Sequence, residues 1–125
     1  MALGGKNMKY TNLFMVRGDT FSFDILIEGL SVDLDDAYFS CRKDINAPVD
    51  YVFQKSFGNG IEKVEISDTN SRQYHITVSP EDTDDVELGN YYYDLELTAG
   101  DEVFTPLIGT FQISYDVTRP SGSSV

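Results

Sequence analysis

One cysteine, one histidine, no tryptophan and only nine basic side chains define this 125-residue sequence by what it has little of. A lone Cys41 cannot close an intramolecular disulfide, and with a single histidine the chain lacks the ligands of a structural zinc site. Cys41 is read instead as a small buried hydrophobe, at home in a reducing compartment. Nine Lys and Arg against 21 Asp and Glu give a formal charge of −12, a field that opposes nucleic-acid phosphates and anionic lipid headgroups. Neither nucleic acid nor membrane is expected as a partner, and the acidity reads as solubility. No 18-residue apolar run occurs, and Met1–Asn7 lacks the apolar centre of a signal peptide.

Catalytic signatures are also missing. His75, the one available imidazole base, falls in the middle of an alternating run, where a strand-face histidine is the simplest reading. No Gly-x-Ser-x-Gly elbow, phosphate loop or dinucleotide fingerprint is present. The acidic clusters Asp33–Asp36 and Glu81–Asp85 lack the spacing and glycine of a helix-loop-helix calcium loop, so loop solvation and helix capping account for them. No enzyme activity, cofactor or metal is expected.

What is abundant is β-forming composition: eight Phe, eight Tyr and 41% apolar residues. Alternation of period two assigns Phe21, Phe23, Ile25 and Ile27 to one buried face, then Ala37, Phe39 and Cys41, then Tyr74, Ile76 and Val78. Residues 51–57 and 61–66 are further strand candidates, separated by a Gly58-Asn59-Gly60 turn. In the last third, Gly89–Leu97 and Gly109–Thr118 alternate around a turn at Ala99-Gly100-Asp101, a hairpin pattern. There, parity sends Tyr91, Tyr93, Leu95, Leu97, Phe111 and Ile113 inward and leaves Tyr92 outside. A Tyr at this place also suggests a tyrosine corner, whose hydroxyl bonds upstream backbone. Between residues 80 and 87, Ser79-Pro80 followed by acids predicts one short helical turn, with Leu88 plugging the core.

These elements add up to an all-β, immunoglobulin-like antiparallel β-sandwich of seven or eight strands. One domain is expected over residues 10–119, with a flexible leader at 1–9, in which Met8 is an alternative start to Met1, and a flexible tail at 120–125. Tyr10–Val16 is expected as an edge strand or arm. The candidate interaction surface is Tyr10, Leu13 and Phe14 on that arm, together with Tyr92.

Taken together, Arg17-Gly18-Asp19-Thr20-Phe21-Ser22-Phe23, Val78-Ser79-Pro80-Glu81-Asp82-Thr83, Leu88–Leu97, Gly109–Ile113 and Asp116–Arg119 resemble a module of phage and prophage virion proteins. The chain is similar to the N-terminal domain of the baseplate upper protein family and related small tail or head-fibre proteins. The resemblance implies a non-enzymatic assembly module that contacts itself and other virion proteins, made in the bacterial host cytoplasm and carried into the virion. The sequence ends at Val125 without the receptor-binding part of fibre-type relatives, so either the module acts alone as a small structural protein or the Pro-Ser-Gly-Ser-Ser tail marks a cut boundary. The competing reading is a carbohydrate- or ligand-binding β-sandwich.

Overall fold

The computed structural model describes residues 1–4, 7–46 and 50–115. Among these residues it is all-β apart from one helical turn. The strands are β1 (Ala2–Leu3), β2 (Lys9–Tyr10), β3 (Leu13–Val16), β4 (Phe21–Glu28), β5 (Asp36–Arg42), β6 (Tyr51–Phe57), β7 (Gly60–Val64), β8 (Ser71–Val78), β9 (Gly89–Ala99) and β10 (Glu102–Ser114), with α1 (Pro80–Thr83) between β8 and β9. They form one hydrogen-bonded sheet in the order β1-β4-β8-β7-β6-β5-β9-β10-β2, with β3 also paired to β10. This sheet curls into a nearly closed, barrel-like shape.

Most pairings are antiparallel, as short turns between alternating strands require. The exceptions sit at the ends and at one seam. β1 runs parallel to β4, β2 and β3 run parallel to β10, and β6 meets β7 through only Ser56–Gly60 and Phe57–Ile61. The N-terminal segment therefore supplies strands to both ends of the sheet. Residues 1–3 are thus not part of a flexible leader: Leu3 is 1% exposed and Leu26 donates its N–H to the Met1 carbonyl at 2.7 Å.

The alternating residues close on one core. Ile25, Ile27, Ile61, Ile76 and Val78 from one half face Phe39, Tyr93, Leu95, Leu97 and Phe111 from the other. Phe39 is fully buried, with ring centroids 5.5 Å from Phe23, 5.4 Å from Tyr93 and 5.9 Å from Phe53. Tilted and edge-on pairs of this kind add to the burial of the rings themselves. Cys41 is inside, as its parity requires, and burial pushes its thiol up to about 12.

β9 and β10 turn through Gly100-Asp101, where Gly100 takes φ +62°, a left-handed value that glycine adopts without penalty. β10 starts at Glu102, seven residues earlier than alternation alone suggests. Its register with β9 shifts between Phe104 and Leu107, leaving Thr105 and Pro106 opposite Glu96. Proline cannot donate to a ladder and is tolerated at such a bulge. The extra residue changes the inward parity from Phe104 to Leu107, Gly109, Phe111 and Ile113.

The helical turn is shorter than expected, ending at Thr83. Leu88 does not plug the core; it is 36% exposed, and Val86 packs there instead. The chain turns there: Val86 donates its N–H to the Thr83 carbonyl at 3.0 Å, and its partly buried side chain packs against the core.

Candidate binding faces

The two outer faces of the sheet differ. Among the described residues, none of the exposed large hydrophobic side chains lies on β4, β7 or β8. On that half Asp24 meets His75 across the strands, and Gln73 donates to the same carboxylate at 3.1 Å. His75 is therefore a half-buried strand-face residue held by an acid.

The other half carries the aromatic side chains. On β3, Phe14 is 70% exposed, and on β2 Tyr10 is 63% exposed. Both lie along the outer edge of β10, opposite Gln112 and Ile108. Leu13, expected beside them, is opposite buried Phe111 and packs against the core; a strand cannot present consecutive residues on one face.

Tyr92 belongs to a different place. Register sets Tyr92 across from Arg42, and Arg42 across from Tyr51. One step along, Asp94 faces Ser40 and Ser40 faces Gln54; one further, Glu96 faces Tyr38. Tyr38, Tyr51 and Tyr92, each 37–44% exposed, stand around a groove of about 620 Å³ on the outer face of β6, β5 and β9. Gln54 and Ser40 form its floor through a 3.0 Å hydrogen bond. Asp94 is half-buried, and burial, reinforced by the charge of Glu96, raises its carboxyl above the ordinary range while Arg42 draws it back.

Alternation alone places Tyr38, Ser40 and Arg42 outside, opposite in parity to Ala37, Phe39 and Cys41. What a single strand cannot reveal is which strands bring Tyr51, Tyr92, Asp94 and Glu96 beside them. Ile45, at 59% exposure, adds an apolar wall from the loop after β5.

The acidic loops are engaged within the fold. Asp33 holds Arg72 at 2.8 Å and Lys63 at 3.0 Å, and Asp35 accepts the Gly100 N–H at 2.6 Å. Asp82 accepts the Ser79 N–H at 2.7 Å and pairs with buried Lys55 at 2.8 Å. Among the described residues, no group of three or more His, Cys, Asp or Glu converges as metal ligands would.

Two of the segments carrying the virion-protein resemblance, 17–23 and 78–83, are joined by hydrogen bonds. Gly18 donates its N–H to the Thr83 hydroxyl at 3.0 Å, Arg17 donates to the Val86 carbonyl at 3.2 Å, and Tyr91 donates to the Glu87 carbonyl at 2.5 Å. Thr83 is fully buried. These residues tie the chain just before β4 to the turn before β9. Residues 116–119, also part of the resemblance, and the tail at 120–125 lie outside the described residues.

No family model matches the chain, and no curated protein matches it in sequence. Among solved structures it is similar to a family 123 glycoside hydrolase from Clostridium perfringens, studied for the details of glycolipid glycan hydrolysis. Identity there is 15%, the TM-score 0.55, and coverage 91% of this chain and 24% of that one. The chain thus spans about a quarter of that enzyme's length, and the likeness is one of fold. It also matches the extracellular domain of the voltage-gated sodium channel β4 subunit, described as a parallel homodimer with a role in cell-cell adhesion. That match has 10% identity, 87% and 94% coverage and a TM-score of 0.36.

Proposed function

We propose that the chain is a non-enzymatic assembly module of a phage or prophage virion, an immunoglobulin-like β-sandwich that acts through contacts with itself and with other virion proteins. The observation that carries the assembly role is the confinement of exposed aromatic side chains to one half of the sheet. Phe14 and Tyr10 stand in the open along β10, while among the described residues β4, β7 and β8 carry no exposed large hydrophobic side chain. Apolar groups gathered on one face gain free energy by being covered.

Three features support the immunoglobulin-like reading of the barrel. The Tyr91 hydroxyl bonds backbone four residues upstream, as in a tyrosine corner. Phe39 on β5 packs on Tyr93 and Phe23, the kind of inter-sheet centre that a Trp and a disulfide occupy in antibody domains. The two-residue seam between β6 and β7 divides the strands into a β1-β4-β8-β7 set and a set containing β6, β5, β9 and β10. The phage assignment rests on the motif resemblance.

Sedimentation equilibrium over a range of concentrations tests the reading. Self-association that is weakened in a Tyr10→Ser/Phe14→Ser variant is the expected result. A chain that stays monomeric and is missing from particles produced by the genome encoding it would overturn the proposal.

A further inference from the structure

We propose that the groove bounded by Tyr38, Tyr51 and Tyr92 is a binding site for a neutral saccharide, separate from the Tyr10–Phe14 edge. Its volume of about 620 Å³ falls within the range of small-molecule sites. Three features choose the ligand chemistry. Three partly exposed tyrosines line the groove, and a tyrosine ring has the flat apolar face that suits the C–H face of a pyranose. Between them stand planar polar side chains: the Arg42 fork, the Gln54 amide and the carboxylates of Asp94 and Glu96. Such groups hydrogen-bond adjacent hydroxyl pairs two at a time.

Charge narrows the choice further. Asp94 and Glu96 project from the same face of β9 two residues apart, in a chain of net charge −12, so an anionic ligand is opposed locally and at a distance. A purely apolar ligand would strip water from Asp94 and Gln54 without replacing their hydrogen bonds. Arg42, whose charge acts on Asp94 in the same groove, opposes a cationic ligand in turn, and a neutral polyol fits this mixed lining.

The inference is independent of the assembly role. The test begins with the intact chain on an array of immobilised neutral oligosaccharides built from glucose, galactose, N-acetylglucosamine and rhamnose. Retained saccharides are then titrated into isotope-labelled protein and followed by NMR. Retention is expected, with shift changes at Tyr38, Ser40, Gln54, Tyr92 and Asp94. Tyr92→Ala and the isosteric Asp94→Asn are each expected to weaken binding about tenfold, the loss that goes with one charge-assisted hydrogen bond or one stacking face. Phe14→Ser should bind as the parent does. Retention of no neutral saccharide would overturn the proposal, as would shift changes confined to other faces or undiminished binding by both groove variants. Mapping on the parent protein keeps the test decisive if a variant folds poorly.

Discussion

The carbonyl oxygen of Thr11 occupies the space where Gly109 would carry a side chain: a Cβ there would lie 2.0 Å from that oxygen and 3.2 Å from the Tyr93 ring. The same carbonyl accepts the Tyr93 hydroxyl at 2.5 Å, and Thr11 donates its N–H to Ile108 at 2.9 Å. The chain between β2 and β3 is thereby drawn onto β10, and only a glycine leaves room for it. Gly109→Ala is expected to push this segment away at a cost of about 1–3 kcal/mol, the usual range for overpacking. Urea denaturation gives the loss, and hydrogen exchange should show reduced protection across residues 13–16 with β4 and β8 little changed.

Lys55 occupies an inward position on β6, opposite Phe39, with its ammonium held by Asp82 at 2.8 Å. Gly60 roofs its stem, a Cβ there falling 2.5 Å from the lysine Cε. Removing Asp82 would leave the buried Lys55 ammonium uncompensated, so Asp82→Leu is expected to cost about 3 kcal/mol or more, and Lys55→Met less, because Asp82 is only partly buried and still accepts the Ser79 N–H. Lys55→Met/Asp82→Leu should recover much of that loss. A double-mutant cycle by urea denaturation measures the coupling, and additive single losses would show that the pair contributes nothing as a pair.

Cys41 is fully buried, and burial holds its thiol at about 12, so the thiolate needed for alkylation is scarce in the folded chain. Iodoacetamide labelling at neutral pH should therefore follow global unfolding. Across a urea series the labelled fraction is expected to track the loss of far-UV signal, whereas rapid labelling of the native chain would place the thiol at a locally opening site.

Where a strand keeps strict alternation, the residues alone located it. Phe21–Glu28 matches β4 from end to end, and Ala37, Phe39 and Cys41 all face inward. The Gly100-Asp101 turn was also legible, as was a Tyr91 hydroxyl reaching upstream backbone, since both depend on local chemistry: a left-handed glycine and one hydroxyl bonding a carbonyl four residues back.

What escaped has physical reasons. The bulge at Thr105–Pro106 shifts parity within β10, so its first half does not continue the alternating run. The two-residue strands β1 and β2 are too short for any period and exist because neighbouring edges offer unpaired backbone groups. Lys55 reads as an ordinary surface lysine until α1 brings Asp82 to it. The groove was hidden for a related reason: Tyr92 looks isolated in its own strand, and register set by turns and bulges places Arg42 beside it and Tyr51 beyond.

Two carboxylates should give stability of opposite pH dependence. Lys63 and then Arg72 hold the exposed carboxyl of Asp33 below the usual range, whereas burial and Glu96 raise that of Asp94. For Asp33 the folded state binds its proton less readily than the unfolded chain. Its stabilising effect is complete above an unfolded value near ~3.9 and disappears as pH falls through the lower folded value. For Asp94 the folded state keeps a proton that the unfolded chain has already released. Stability therefore declines as pH rises from about 3.9 through the higher folded value, and stays lower above it. Asp94→Asn should remove that decline and leave the protein at least as stable as the parent at neutral pH. Asp33→Asn should flatten the acid limb slightly, because an exposed pair is weakened by solvent. Urea midpoints across an acid-to-neutral pH series, for the parent and both variants, check the two signs together; a common slope change in both variants would contradict the assignment.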